Sequence, residues 1–299
     1  MSPSFEIQLV AVIVSAACAL PGTFLVLRKM SMMSDAITHT ILLGIVLAFF
    51  LTRDLNSPLL IVGAALMGVA TVWLTETLTK THLISEDSAI GIVFPLLFAI
   101  AIILISRYAG KAHLDTDSVL LGELAYVSFD RMVVFGVDIG AKAIYTSGAL
   151  LLVNAVLIAV FYKELKIASF DPMLAAVMGF SPTLIHYGLM TLVSLTAVGA
   201  FQAAGSVLVV AFMIGSPVTA YLLTDDLKVM LPLSAGLGAL SGVLGYQCAY
   251  VLDVSIAGSM AVMTGIIFVL AFFFSPTKGI VRGLLRRRAA LTRVHNNKA

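Results

Sequence analysis

Apolar segments of about 20 residues alternate with short polar connections along almost the whole chain. They lie at residues 7–27, 31–51, 58–78, 88–106, 143–162, 184–202, 206–223, 231–252 and 257–275. A helix of about 20 apolar residues crosses the hydrocarbon core of a bilayer, and a helix satisfies its own backbone hydrogen bonds there. The pattern predicts an all-α, polytopic transmembrane protein with eight or nine spans.

Composition excludes a water-soluble fold. The chain is 60% hydrophobic and 11% charged, whereas a soluble domain carries roughly 25% charged residues. No soluble domain fits between the apolar segments, so residues 1–277 are predicted to form a single membrane domain.

Gly238 and Gly242 have the small-xxx-small spacing that permits close helix packing. Cys18 and Cys248 lie in apolar segments without a CxxC partner, so neither a disulfide framework nor a thiolate metal site is expected.

Basic residues crowd the last 22 positions of the chain. They are Lys278, Arg282, Arg286, Arg287, Arg288, Arg293 and Lys298. A basic flank after a final apolar segment faces the cytoplasm under the positive-inside rule, so residues 278–299 are predicted to be a basic cytoplasmic tail. Nothing else in the chain has the basic and aromatic surface that nucleic-acid binding requires, and no nucleic-acid partner is expected.

The positive-inside rule leaves two topologies open. Nine full crossings place 13 Lys and Arg residues inside and five outside, with the N-terminus outside. If residues 31–51 are re-entrant instead, the N-terminus lies inside and the count becomes 11 to seven. The charges favour nine spans by a small margin.

The second apolar segment contains two potential metal ligands. Asp35 and His39 are four residues apart, which places both side chains on one face of a helix, one turn apart. A carboxylate and an imidazole suit Mn²⁺, Fe²⁺ or Zn²⁺, and a twofold dimer would supply four such ligands. Three other interpretations stay open, namely a hydrogen bond between the two side chains, solvation of a helix end near Arg28 and Lys29, and a proton relay.

Around this pair the sequence resembles a known family. Residues 22–39 read GTFLVLRKMSMMSDAITH, which is similar to the start of the manganese/zinc/iron ABC permeases, with their Leu-Arg-x-Met-Ser-x-x-x-Asp-x-x-x-His run. The likeness continues at Phe170-Asp171-Pro172 with Ala175 and Gly179, at residues 216–220 and at residues 275–279. It therefore covers nearly the full length.

The resemblance implies a permease with about eight spans in an ATP-driven importer of a divalent metal, with manganese favoured and zinc or iron as alternatives. The metal would be cargo, with no permanently bound cofactor. The implied partners are cytoplasmic ATP-binding subunits, a second permease copy or paralogue and an extracytoplasmic metal-binding protein, in the lipid of a bacterial cytoplasmic (inner) membrane. Asp35 and His39 match the metal-coordinating pair. Eight spans with an inside N-terminus favour the re-entrant topology, which places this pair toward the outer face.

Residues 165–183 form a second candidate functional stretch, on the cytoplasmic side of the apolar spans. Asp171 followed by Pro172 is typical of a helix N-terminus, and Gly179 is typical of a helix end. The resemblance assigns ATPase coupling to Phe170, Asp171, Pro172, Ala175 and Gly179. The residues alone favour an ordinary cytoplasmic connector with good caps.

The chain contains no Gly-x4-Gly-Lys-Ser/Thr run, which predicts that it is not itself an enzyme and that ATP hydrolysis would fall to a separate chain. His113, Asp115 and Asp117 alternate in a polar loop and are a candidate outer patch for metal or for the binding protein. Alternative functions are an ABC permease for a metal chelate such as a siderophore or cobalamin, and an ion-coupled secondary transporter. An intramembrane enzyme is disfavoured because zinc-protease and Gly-x-Ser-x-Gly motifs are lacking.

Overall fold

Helices dominate the computed structural model, which describes residues 3–54, 57–108, 124–134, 137–275 and 278–279. They are α1 (Pro3–Leu27), α2 (Ser31–Thr52), α3 (Leu59–Thr79), α4 (Glu86–Tyr108), α5 (Lys142–Val160), α6 (Tyr162–Phe170), α7 (Pro172–Val177), α8 (Pro182–Val210), α9 (Ser216–Leu223), α10 (Leu227–Leu252) and α11 (Ile256–Phe274). Within these described ranges, nine helical segments are long and apolar enough to cross a membrane. The predicted all-α, polytopic fold is confirmed.

A short hairpin between α4 and α5 was not predicted. It follows a 3-10 turn at Leu124–Tyr126 and pairs β1 (Arg131–Val134) with β2 (Val137–Ala141) in antiparallel fashion. The sequence carries a signal for it, because two β-branched runs flank the dipeptide Phe135-Gly136, and such runs around a Gly-containing dipeptide are typical of a tight hairpin.

The hairpin and residue Arg28 mark opposite ends of the molecule. At the hairpin end, the Ser128 hydroxyl donates to the carbonyl of Pro3, and Arg131 lies 3.4 Å from the buried carboxylate of Glu6. At the Arg28 end, Arg28 Nε donates to Ser169 Oγ on α6 at 3.1 Å. Helix α1 therefore begins at the hairpin end and ends at the Arg28 end.

Helix α2 runs the whole way back, antiparallel to α3. Midway along α2, Thr40 Oγ1 accepts a hydrogen bond from the Thr71 hydroxyl of α3 at 2.8 Å. Further along, Gly44 packs directly on the backbone of Gly63, close to the start of α3. The re-entrant topology favoured for residues 31–51 is therefore wrong, since α2 is one continuous helix of 22 residues with partners along its length.

Most of the described basic residues lie at the Arg28 end, whereas Arg53, Arg107, Arg131 and Lys142 lie at the hairpin end. Arg28 and Lys80 line one cavity there, and Lys163, Lys166 and Lys228 line another. The positive-inside rule places this end in the cytoplasm. Because α1 begins at the opposite end, the N-terminal end of α1 faces outward, as the nine-span topology requires.

The chain reverses direction within the long helix α8. Thr196 exchanges hydrogen bonds with Asn154, whose amide also donates to the carbonyl of Ala17, midway along α1. Further on, the backbone of Met213 contacts Gly22, which is closer to the Arg28 end. Between them Gly205 adopts φ +75° and ψ 164°, which breaks the helix, and a left-handed φ of this kind favours glycine. A π-helix at Ala211–Gly215 then leads into α9.

Helix α1 lies at the centre of the bundle. On one side, Ala11 and Ser15 pack against Gly242 and Gly238 of α10, so the predicted small-residue contact is confirmed. The close approach is possible because neither glycine has a side chain.

The end of α11 is fastened to the turn between α9 and α10. Lys278 Nζ lies 2.8 Å from Asp225 Oδ1 and 3.5 Å above the ring of Tyr221. Burial lowers the pKa of this ammonium, but the hydrogen bonds and charges of Asp225 and Tyr221 outweigh burial and raise the pKa above its ordinary value. The remainder of the predicted basic tail, from residue 280, lies outside the described residues.

Candidate functional site

Asp35 and His39 face each other across one turn of α2. His39 Nε2 lies 3.5 Å from Asp35 Oδ1, which is too long for a strong hydrogen bond. Two ligand atoms that each lie about 2.1 Å from a single ion at a tetrahedral angle are about 3.4 Å apart. The observed separation therefore suits two atoms that share one cation better than two atoms that bond to each other.

Two phenylalanines of α4 hold the His39 ring. The ring centroid lies 5.2 Å from that of Phe94 and 5.6 Å from that of Phe98, in tilted and edge-on contacts. Such aromatic contacts restrict the rotation of the imidazole. The carboxylate of Asp35 and Nε2 of His39 are thus presented on one side of α2 by the packing of α4.

This side of α2 is the part of the helix that remains accessible. The side chains of Asp35 and His39 are 38% and 21% exposed, and Met32, on the same face, is 55% exposed. Most other positions on α2 are buried. Across residues 3–54, 57–108 and the other described ranges, no group of three or more His, Cys, Asp and Glu could hold a metal. Among these residues, a cation at the pair would meet only Asp35 and His39.

The pair lies nearer the Arg28 end than the hairpin end. Its neighbour Ser34 donates to the sulfur of Met213 at 3.0 Å, and Met213 contacts Gly22 near the end of α1. The expectation that the pair lies toward the outer face is therefore wrong. It depended on the re-entrant topology, whereas α2 begins at the cytoplasmic end and the pair occupies its first turns.

The segment after α5 forms two short helices joined at Asp171. The Asp171 carboxylate accepts a hydrogen bond from the backbone N–H of Leu174 at 2.9 Å, with Pro172 in the first turn of α7. After α7, Gly179 has φ +88°, and the N–H of Phe180 donates to the carbonyl of Ala175. The predicted helix start and stop are both present, for the reasons that the residue types suggest.

The outer side of this segment is apolar and exposed, whereas Ala175 on its inner side is fully buried. We call this surface the α7 face, and its members are Phe170, Met173, Leu174, Val177 and Met178, which are between 48% and 85% exposed. Exposed apolar patches of this kind are typical of sites of protein or membrane contact.

The predicted outer patch of His113, Asp115 and Asp117 lies outside the described residues, so it stays a prediction.

Known proteins resemble this chain in both sequence and fold. The sequence profile of the ABC 3 transport family matches residues 4–275. The chain belongs to the ABC 3 transport family. This ABC 3 family member is 50% identical over 285 residues to the manganese transport system membrane protein MntD of Bacillus subtilis, covering 95% of this chain and 96% of that protein. It is 49% identical to the zinc transport system membrane protein TroD of Treponema pallidum, covering 96% and 78% of the two chains.

Solved structures agree with the fold of this ABC 3 family member. The PsaBC structure from Streptococcus pneumoniae, in complex with Fab, superposes with a TM-score of 0.77 at 31% identity, covering 93% of this chain and 94% of that chain. A putative metal-chelate type ABC transporter in an inward-facing conformation shares the fold at a TM-score of 0.62 and 18% identity.

A polar cluster at the Arg28 end of this ABC 3 family member escaped the sequence analysis. Arg28, Glu76 and His186 meet there. One signal was available, since Glu76 is a charged residue inside the apolar segment 58–78, and intramembrane charges usually face a cavity or a partner.

Proposed function

We propose that this chain is the membrane-spanning permease subunit of an ATP-driven ABC importer for a divalent transition metal, with manganese as the favoured cargo. One observation carries the proposal, namely the Asp35–His39 pair on the accessible face of α2, with a spacing that suits a shared cation. Membership of the ABC 3 transport family supports it. So do the manganese and zinc transport functions in the names of MntD and TroD.

A second permease, either a copy or a paralogue, completes the site. One chain supplies one carboxylate and one imidazole, whereas transition metals are held by four or more ligands in protein sites. A twofold arrangement that brings two α2 faces together gives two of each. The ion is then cargo that the ligands hold in passing, and the proposal includes no resident cofactor.

The α7 face binds the cytoplasmic ATPase in this proposal. Its position at the Arg28 end, its exposure and its two helix caps provide a rigid apolar surface outside the bilayer. ATP hydrolysis belongs to that partner chain.

On the opposite side, an extracytoplasmic metal-binding protein delivers the ion, and His113, Asp115 and Asp117 are proposed contacts for it. The membrane is the bacterial inner membrane, with residues 278–299 as a cytoplasmic tail.

Transport by purified components tests the proposed function. Proteoliposomes that contain the permease pair and its ATPase are loaded with ATP on the cytoplasmic side of the protein and given radioactive Mn²⁺ with the binding protein. We expect ATP-dependent accumulation of Mn²⁺, competed by excess Zn²⁺ because the same ligands bind zinc more tightly.

Two alternatives make opposite predictions in the same vesicles. An importer of a ferric siderophore or cobalamin accumulates the chelate and ignores free Mn²⁺. An ion-coupled secondary transporter moves Mn²⁺ under an imposed proton or sodium gradient without ATP. Either result contradicts the proposal.

A charge on the α7 face should detach the ATPase. In the Val177→Asp variant, a residue that is 85% exposed gains a carboxylate that the interface would have to desolvate. We expect about a tenfold or greater loss of ATPase co-purification, since a buried unpaired charge costs several kcal/mol. The measurement is the ratio of ATPase to permease after affinity purification.

Leu83→Asp is the matched control for this variant. Leu83 is an apolar residue in the turn between α3 and α4, also at the Arg28 end, and it is also 85% exposed. The Leu83→Asp complex should retain its ATPase. Equal retention by both variants would show that the α7 face is not the docking surface.

A further inference from the structure

A chain of polar contacts joins the α6–α7 segment to α3 at the Arg28 end. Arg28 Nε donates to Ser169 Oγ at 3.1 Å, and Arg28 Nη1 lies 3.4 Å from His186 Nδ1. The other ring nitrogen of His186 lies 2.5 Å from Glu76 Oε1, and the Tyr187 hydroxyl donates to Glu76 Oε2 at 2.7 Å. We call Ser169, Arg28, His186 and Glu76 the inner bridge.

The direction of these contacts assigns the state of the imidazole. A guanidinium can only donate hydrogen bonds, so Nδ1 of His186 must accept from Arg28. The neutral ring then carries its proton on Nε2, which faces the Glu76 carboxylate. The Arg28–Ser169 and Arg28–His186 contacts of the inner bridge are hydrogen bonds. Nε2 of His186 lies close to Glu76 Oε1 but outside hydrogen-bond geometry, so this contact is one of proximity.

One end of the inner bridge lies beside the proposed ATPase contact. Ser169 is the penultimate residue of α6, two positions before the Asp171 cap of α7. Ser169 is only a few residues from α7 along the chain. A docked partner that displaces α7 therefore also moves Ser169, and with it the Arg28 side chain.

The other end leads to the metal pair through tightly packed helices. Glu76 belongs to α3, which is held to α2 by the Thr71–Thr40 hydrogen bond and by the backbone contact of Gly44 with Gly63. Packed helices with backbone contacts of this kind move together rather than deform. A shift of α3 at Glu76 therefore shifts α2, which carries the ligands.

A cavity beside the bridge gives these elements room to move. It has a volume of about 510 Å³ and is lined by the turn between α1 and α2 and by residues from α2, α3, α4, α6, α7 and α8, including Met30, Met33 and Glu86. Met33 and Asp35 project from nearly opposite sides of α2, since successive residues turn by about 100°. The cavity thus lies behind α2, away from the proposed ion path, and is not a second metal site on that path.

We propose that the inner bridge is the link that carries movement of the α6–α7 segment to the Asp35–His39 pair, with Glu76 and His186 as positioning residues for coupling; this inference rests on the proposed function. The inner bridge would connect the proposed metal site to the proposed docking surface. Its side chains touch neither the cargo nor the ATPase.

Coupling efficiency is the decisive readout. In the reconstituted importer, Glu76→Gln keeps an acceptor for Tyr187 but removes the charge that faces His186. We expect Mn²⁺ transported per ATP hydrolysed to fall about tenfold, within the range for residues that lie between two coupled sites, while ATP hydrolysis itself continues. A merely structural defect would lower both rates together and leave their ratio unchanged.

Three further variants sharpen this test. Glu86→Gln is the matched control, because Glu86 lines the same cavity and its buried Oε1 has no hydrogen-bond partner among the described residues, so its ratio should equal that of the wild type. Adding His186→Gln to Glu76→Gln should cause no further loss, since contacting residues in one link are not additive. If the Glu76 variant cannot be purified, Ser169→Ala, which removes only the hydroxyl that meets Arg28, should still lower the ratio severalfold.

A measurement without cargo separates this inference from the proposed function. Spin labels at Lys166→Cys on α6 and Leu51→Cys at the far end of α2, with Cys248 replaced by Ser, report the spacing of the two elements in the full-length permease. We expect one narrow distance distribution in the wild type and a broadened one in Glu76→Gln. Identical distributions, or an unchanged ratio of Mn²⁺ to ATP in every bridge variant, overturn the link, whereas a wild-type complex that moves no Mn²⁺ overturns the proposed function alone.

Discussion

Replacing Asp35 by Asn in both permeases should lower ATP-driven Mn²⁺ uptake at least about 100-fold. Loss of a group that only orients a metal ligand already costs 10–100-fold, and this change removes the anionic oxygen itself. Asn is nearly isosteric, so the packing of α2 against α3 and α4 is preserved. Uptake is measured in proteoliposomes, and assembly is checked by co-purification of the ATPase.

Asp87→Asn provides the control for charge removal. Asp87 is an exposed aspartate in the first turn of α4, at the same end of the molecule as Asp35. Its replacement should leave uptake unchanged. Wild-type uptake by the Asp35→Asn variant, with the ATPase bound, would exclude Asp35 as a ligand, and normal uptake by a His39→Ala variant would do the same for the imidazole.

Gly22→Val should abolish production of folded protein. A Cβ at Gly22 would overlap the backbone carbonyl of Met213 in the π-helix, and a backbone atom cannot move aside as a flexible side chain can. Overpacking of a close-packed interior costs about 1–3 kcal/mol and more where backbone must shift. The expected result is loss of the monodisperse peak in detergent chromatography, or a lowering of the thermal midpoint by many degrees.

Gly148→Val tests whether the effect is specific to the Gly22 contact. Gly148 is also a helical glycine, on α5, but no atom lies within 4 Å of its added Cβ. Valine should be tolerated there. If both variants fold alike, α1 and the π-helix are less closely packed than the structure indicates.

The apolar segments were sufficient to predict the membrane-spanning helices, because the bilayer imposes both the length and the helical type of a spanning segment. The break predicted between residues 202 and 206 coincides with Gly205, whose φ of +75° interrupts α8. Helical spacing was also sufficient to place Asp35 and His39 on one face, since that arrangement depends on one helix alone. The caps at Asp171 and Gly179 are local in the same sense, and local chemistry decides them.

The features that the sequence could not predict depend on contacts between distant parts of the chain. The course of α2 is decided by its pairing with α3, including Gly44 on Gly63, and an eight-span expectation from family likeness gave the wrong side for the metal pair. The Phe94 and Phe98 contacts that hold His39 could not be derived from spacing within α2. Arg28 and His186 are 158 residues apart in sequence, and their meeting depends on the packing of α1 against α8.

Under the proposed function, the position of the Asp35–His39 pair near the cytoplasmic end has an electrical consequence. An incoming divalent ion crosses most of the transmembrane field before it reaches Asp35 and His39, and each elementary charge gains about 2.3 kcal/mol per 100 mV across the whole field. For two charges the whole field contributes about 4.6 kcal/mol at 100 mV, interior negative. Asp35 and His39 are the fifth and ninth of 22 residues in α2, so reaching them from outside contributes about 3 kcal/mol. Occupancy of the pair from outside should therefore rise with membrane potential, so that an energised cell loads its importer at metal concentrations that leave a depolarised vesicle empty.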